Sequence, residues 1–285
     1  IGHGYSEQEV KEVEGDKISW HFKAPMVHDF AWVADSNFTH KTASLDNGTV
    51  LHFLYQADSN TTNWDSLPKY AVKIFEIMNA NFGEYPYKQY TVAQGGDGGM
   101  EYPMLTLITG HRSKGSLVGV TAHEAIHSWY QHLLATDEAK YPWMDEGFTS
   151  YGTDYVMDIL FPKFTPYYRS YGGYFSLVKS GKQEPLTTHA DHYKTNRAYG
   201  TASYSMGLIF LHQLSYVVGQ DVLMRSMRRY FDEWKYKHPT PNDFIRVVEK
   251  VSGMELSWYL EQWIGTTNTI DYGIKWMQEK EGKTV

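Results

Sequence analysis

Apolar residues recur at intervals of three and four through most of the chain after residue 66. Tyr70, Ile74, Ile77 and Met78 predict a helix over Leu67–Phe82 that stops at Gly83. Ile126, Trp129, Tyr130, Leu133 and Leu134 predict a second, led in by Thr121-Ala122. Met144, Phe148, Tyr151, Tyr155 and Ile159 predict a third, from Trp143 after Pro142 to about Leu160. Similar spacing predicts helices over Ser203–Val218, Val222–Trp234, Asn242–Val251 and Leu256–Ile264. Shorter alternating or clustered apolar runs predict strands at 18–22, 30–34, 50–55, 90–92, 105–109 and 269–276. Between Pro162 and Asn196 the chain is Tyr-rich and polar, with no clear period, and no repeat is present. Strands early and helices late argue for an α+β domain with a mixed sheet lobe and a mostly helical lobe.

With 285 residues and 42% hydrophobic content, the chain can bury a large core. A net charge of −7 with no Lys/Arg run argues against a nucleic-acid partner. No apolar stretch is long enough to span a membrane. There is no cysteine, which removes disulfides, thiol catalysis and thiolate metal sites and leaves the cellular compartment open. The chain does not begin with Met, so a fragment of a longer protein is expected.

The chemistry concentrates in His123-Glu124-Ala125-Ile126-His127, followed after 18 residues by Glu146. Histidines four apart on a helix share a face, so their nitrogens can reach one metal. A catalytic zinc uses three protein ligands and one water, and Glu146 supplies the third beside His123 and His127. Glu124 is then free to act as general base toward that water. The bland alternative is a solvated helix carrying two ordinary histidines. Near Gly95-Gly96-Asp97-Gly98-Gly99 no Lys-Ser/Thr follows, so a phosphate cradle is disfavoured against a glycine-rich edge that admits substrate backbone. His189 and His192 could hold a metal, but a solvated loop explains them better; His132 leaves the metal-facing stripe. Asp145 could orient the site or cap the following helix, and Asp154 could hydrogen-bond a ligand histidine.

On these residues the chain resembles the aminopeptidase N family of zinc metallopeptidases, a gluzincin family, over roughly residues 20–265. The third ligand there sits in a Trp-Leu-Asn-Glu-Gly-Phe type segment; Met144 and Asp145 replace its Leu and Asn. An upstream Gly-x-Met-Glu-Asn segment corresponds to Gly98-Gly99-Met100-Glu101-Tyr102, with Tyr102 in place of Asn. The resemblance implies that Glu101 binds the substrate's free amino terminus while Gly98, Gly99 and Met100 lie along the peptide. A Tyr-x-Lys-Gly segment corresponds to Tyr204-Ser205-Met206-Gly207, with Met206 for Lys, so Tyr204 is the implied oxyanion donor and Tyr199-Gly200 the competing assignment. The resemblance further implies a thermolysin-like fold, one zinc per chain and peptide substrates with a free N-terminus. It places the end of a preceding β-rich domain at 1–35, the catalytic domain at 36–265, and the start of a following β-rich domain or tail at 266–285. Two other classes remain open: a related gluzincin with endopeptidase or glycyl-directed activity, and a non-catalytic interaction module on the same fold.

Overall fold

The computed structural model describes residues 5–6, 11–14, 17–269, 276–280 and 283–284. Two small antiparallel pairs come first: β1 (Tyr5–Ser6) with β4 (Phe22–Lys23), and β2 (Lys11–Glu14) with β3 (Lys17–Ser19). The strand expected at 30–34 does not form. Trp32 makes only an isolated bridge, and both Phe30 and Trp32 are exposed, so their apolar character does not reflect a sheet face.

The central sheet has the order β5-β6-β7-β9-β8. Its strands are β5 (Phe38–Ser44), β6 (Val50–Gln56), β7 (Gln89–Gly95), β8 (Gly99–Tyr102) and β9 (Leu105–Thr109). β7 lies parallel to both β6 and β9, and the outer strands β5 and β8 pair antiparallel. The inner position of β7 explains its burial from Gln89 to Ala93, since a strand covered on both faces loses its alternation. Between β6 and β7 runs α1 (Leu67–Asn81), which buries Leu67, Ala71, Ile74, Phe75 and Met78 along one stripe. It ends before Gly83, whose φ is +142° and whose missing side chain leaves room for the Phe231 ring.

The helical lobe follows. α2 (Lys114–His127) runs into a π-helical turn at Ser128–Leu133, and α3 (Pro142–Leu160) crosses back against α2. α4 (Tyr168–Lys179) buries only Leu177, which is why the Tyr-rich region gave no apolar period. After α5 (Asn196–Gly200), a second π-helical turn at Thr201–Met206 enters α6 (Gly207–Val218). α7 (Gln220–Trp234), α8 (Pro241–Ser252) and α9 (Ser257–Gly265) complete the lobe. A capping box between Thr240 and Asp243 fixes the start of α8. Trp64, Trp129, Trp143, Phe148 and Tyr230 sit fully buried in one continuous core linking sheet and helices. The strand expected at 269–276 lies largely outside the described residues; beyond it Glu279–Lys280 (β10) pairs with Lys283–Thr284 (β11). No helix among the described residues is long and apolar enough to cross a membrane.

Candidate metal centre and substrate cleft

His123 and His127 lie one turn apart at the end of α2, and Glu146 faces them from α3. His123 Nε2 is 3.1 Å from Glu146 Oε2, His127 Nε2 is 3.4 Å from the same oxygen, and the two Nε2 atoms are 3.2 Å apart. A tetrahedral zinc with bonds of about 2.0–2.1 Å needs donor–donor edges of about 3.3–3.4 Å, so this triangle has the size of one tetrahedral face.

The protons point the same way. His127 Nδ1 is 2.6 Å from Asp145 Oδ1, so its N–H donates there and Nε2 is the nitrogen left to face a metal. Thr153 spends its hydroxyl proton on the Thr149 carbonyl and is left to accept from His123 Nδ1 at 3.5 Å. Once both Nε2 atoms are deprotonated, they and Glu146 Oε2 would present three lone pairs to one point, an arrangement that a cation there would stabilise. The donor set fits zinc. Burial alone would lower the pKa of His127, yet Asp145 and Glu146 hold it well above its usual value. Hydrogen bonds to both histidines hold the Glu146 carboxyl well below the usual range despite its burial.

Glu124 is buried beside this triangle and takes no hydrogen bond among the described residues. Burial, reinforced by the Glu101, Glu146 and Asp145 carboxylates and opposed by His127, pushes its pKa up to about 8. A dication in the triangle pulls the other way. The β8 edge comes within contact of this carboxylate because Gly99 has no side chain; a Cβ there would stand 2.2 Å from Glu124 Oε1.

Two glycines set the other wall. A Cβ on Gly147 would meet Gly207 Cα at 2.5 Å, and one on Gly207 would meet the Trp143 carbonyl at 2.7 Å. α3 and α6 can therefore cross almost backbone to backbone, which brings the π turn at Thr201–Met206 over Glu146. Tyr204 stacks on His123 with ring centroids 5.6 Å apart, and its hydroxyl donates to Glu146 Oε1 at 2.5 Å. Burial and the Glu146 charge raise its pKa, which keeps it a proton donor. Tyr199 lines the same cleft but makes no such bond, so the geometry favours Tyr204 over it.

Gly99, Met100 and Glu101 line a cleft of about 560 Å³ together with Glu124, Glu138, Tyr199 and Tyr204. Gly98 is not brought to this wall; its carbonyl is taken by Thr109 and by Arg112. Glu101 has a carboxylate oxygen within 4.8 Å of donor atoms of Glu124 and His127, and likewise of Glu138 and Asp145. Burial raises the Glu101 pKa. Such a concentration of carboxylates suits a positively charged ligand group.

Glu138, Thr149 and Thr153 went unnoticed in the sequence. Thr149 and Thr153 do follow Glu146 at helical spacing, a signal that was available; Glu138 lies in an irregular loop and gave none. Asp145 orients His127, and since α3 starts at Pro142 it is no helix cap. Asp154 accepts from the Tyr167 amide and not from a ligand histidine. His132 is buried beside His28, and among the described residues no third donor joins His189 and His192.

A family model described as the peptidase family M1 domain matches residues 68–263, a span that contains every residue of this centre. The chain belongs to peptidase family M1. Aminopeptidase B of Mus musculus is 28% identical over 192 residues, covering 59% of this chain and 29% of that protein. Aminopeptidase M1-A of Oryza sativa subsp. japonica is 22% identical over 168 residues, covering 58% of this chain and 19% of that protein. The chain thus spans less than a third of the length of these curated relatives. An M1 zinc metallopeptidase from Deinococcus radiodurans superposes with a TM-score of 0.71 at 16% identity, covering 95% of this chain and 63% of that one. The α+β metallopeptidase architecture expected from the sequence is thereby the observed fold.

Proposed function

We infer that the protein is a zinc-dependent aminopeptidase, binding one zinc per chain and removing single residues from peptides with a free N-terminus. The observation that carries this reading is the juxtaposition of the His123–His127–Glu146 triangle, the buried Glu124 and the Glu101–Glu138 carboxylates on one cleft wall. Zinc in that triangle supplies a Lewis acid and lowers the pKa of water. Glu124 takes the proton of the attacking water and returns it to the departing amine. Tyr204 turns its hydroxyl from Glu146 to donate to the developing oxyanion. Glu101, with Glu138 near it, holds the substrate ammonium and so fixes the scissile bond one residue from the end. The edge of β8 at Gly99 and Met100 runs beside the substrate backbone.

Support also comes from relatives named aminopeptidases and from a related Deinococcus radiodurans structure, 18% identical with a TM-score of 0.63, that holds a Tyr-Ser-Ala substrate. The three metal donors and Glu124 are all present, which disfavours a non-catalytic module, and Glu101 disfavours an endopeptidase. Residues 1–35 and 266–285 would belong to flanking β-rich parts of a longer protein, with 36–265 as the catalytic unit.

The deciding experiment follows a free-amine peptide by mass spectrometry with zinc-loaded protein. A ladder losing one residue at a time from the N-terminus is expected. Internal cuts, or equal cleavage of an N-acetylated peptide, would refute the reading. Glu101→Ala should weaken the preference for the free amine while zinc content stays the same.

A further inference from the structure

On the far side of His123 and Tyr204 the cleft opens into a second cavity of about 1090 Å³. Both residues also line the carboxylate-walled chamber, so the two spaces meet at the metal-binding triangle. Their charge is opposite. The first chamber has Glu101, Glu124, Glu138, Asp145 and Glu146 and no lysine or arginine. The second has Arg112, Lys163 and Arg169 against a single carboxylate, Asp154.

Arg112 directs its hydrogen bonds to neutral oxygens, Ser116 Oγ, the Gly98 carbonyl and Thr109 Oγ1, and its Nε is buried without a partner. None of the three cations enters an ion pair among the described residues. Arg169 acts on Asp154 only at longer range, and Asp154 already accepts from the Tyr167 amide. The start of α2 adds to the field: no side chain caps its first-turn amides and no acidic residue lies in that turn.

We propose that this basic chamber binds the C-terminal carboxylate of a short peptide whose amino terminus rests at Glu101, so that the cleft reads both ends of its substrate. The inference rests on the aminopeptidase reading above. Ser116 and His123 lie on the cavity wall seven residues apart on α2, a rise of about 10 Å. An extended peptide advances about 3.3 Å per residue, so a chain cut after its first residue carries its terminus that far with about two or three residues beyond the cut. Tripeptides and tetrapeptides are the matching length.

The test compares kcat/KM for Leu-Gly-Gly and tetra-alanine as free acids and as C-terminal amides. The free acid should be preferred about tenfold, mostly through KM, and added salt should shrink the preference. Lys163 and Arg169 are exposed, so Lys163→Ala/Arg169→Ala should fold and bring the acid-to-amide ratio close to one. Equal use of acid and amide by the parent, with both losing N-terminal residues, would overturn the chamber's role and leave the aminopeptidase reading standing. A preference that survives undiminished in the double variant would also overturn it. Internal cleavage of both peptides would overturn the two readings together.

Discussion

If Glu124 is the general base proposed above, replacing Gly99 by alanine should disable it without unfolding the protein. A Cβ at this position stands 2.2 Å from Glu124 Oε1, 2.8 Å from its Cδ and 2.8 Å from Val120 Cγ2. Carbon atoms pack comfortably at about 3.5–4.0 Å, so roughly 1 Å must be absorbed. Val120 is fixed on α2, and β8 is held in register by β9 through pairs such as Gly99 with Ile108. The Glu124 carboxylate, with no hydrogen bond to hold it, is the part that yields. A misplacement of about 1 Å costs on the order of a hundredfold in rate, about 2.7 kcal/mol of activation free energy. Gly99 does not occupy the left-handed region, so alanine brings no backbone strain. Steady-state kinetics on an aminoacyl anilide, zinc content by mass spectrometry and thermal unfolding together test this. The expected result is kcat/KM down about a hundredfold, zinc unchanged and Tm within a few degrees. Full turnover would refute the idea that Glu124 must hold this position. Lost zinc or a collapse in Tm would show that the strand edge was disturbed and not the base.

Three further substitutions probe other parts of the site. Tyr204→Phe keeps the ring stacked on His123 but removes the hydroxyl proposed as oxyanion donor, and kcat should fall about 10²–10³-fold with zinc retained; unchanged kcat would turn attention to Tyr199. Asp145→Ala frees the His127 ring and should weaken zinc binding about 10–100-fold in a chelator competition, whereas unchanged affinity would show that Thr149 suffices. Burial pushes Asp154 up to about 6 from an ordinary 3.8, so the folded protein binds that proton more tightly and loses stability as pH rises between these values. Asp154→Asn should therefore gain about 1–2 kcal/mol at pH 7, discounted for partial burial, and gain nothing below pH 4; a pH-independent effect in denaturant unfolding would refute this.

The parts of the fold that spoke in the sequence were those whose surroundings make period and burial agree. α1, α3, α7 and α8 each bury one stripe, and their expected limits were close to those observed. β5 did not announce itself, because its exposed edge face carries His40, Thr42 and Ser44 and little apolar alternation. α4 hides for the related reason that it lies on the surface with one buried residue. The strand expected at 30–34 shows the reverse error, apolar residues that stay exposed. In the site, the gathering of His123, His127 and Glu146 beside Glu124 was legible because donors meant for one metal recur at helical spacing on α2. Glu138 was not, because a loop carries it to Glu101 and no period records that approach.

The geometry of the site depends on departures from regular helix as much as on helix. The two π turns flank the centre: one follows His127 directly, the other carries Tyr204. A π turn inserts a residue's worth of rotation, so the chain before and after it presents different faces. After His127 this turn sends Trp129, Tyr130 and Leu133 into the core while the preceding face keeps both histidines on the cleft. Before α6 it turns Tyr204 outward to Glu146 while Met206 and Gly207 stay packed. The second arrangement needs α3 and α6 in backbone contact, which Gly147 and Gly207 permit. Small residues at the crossing and a widened turn beside it thus act as one device, setting the Tyr204 hydroxyl against the Glu146 carboxylate, 58 residues earlier in the chain.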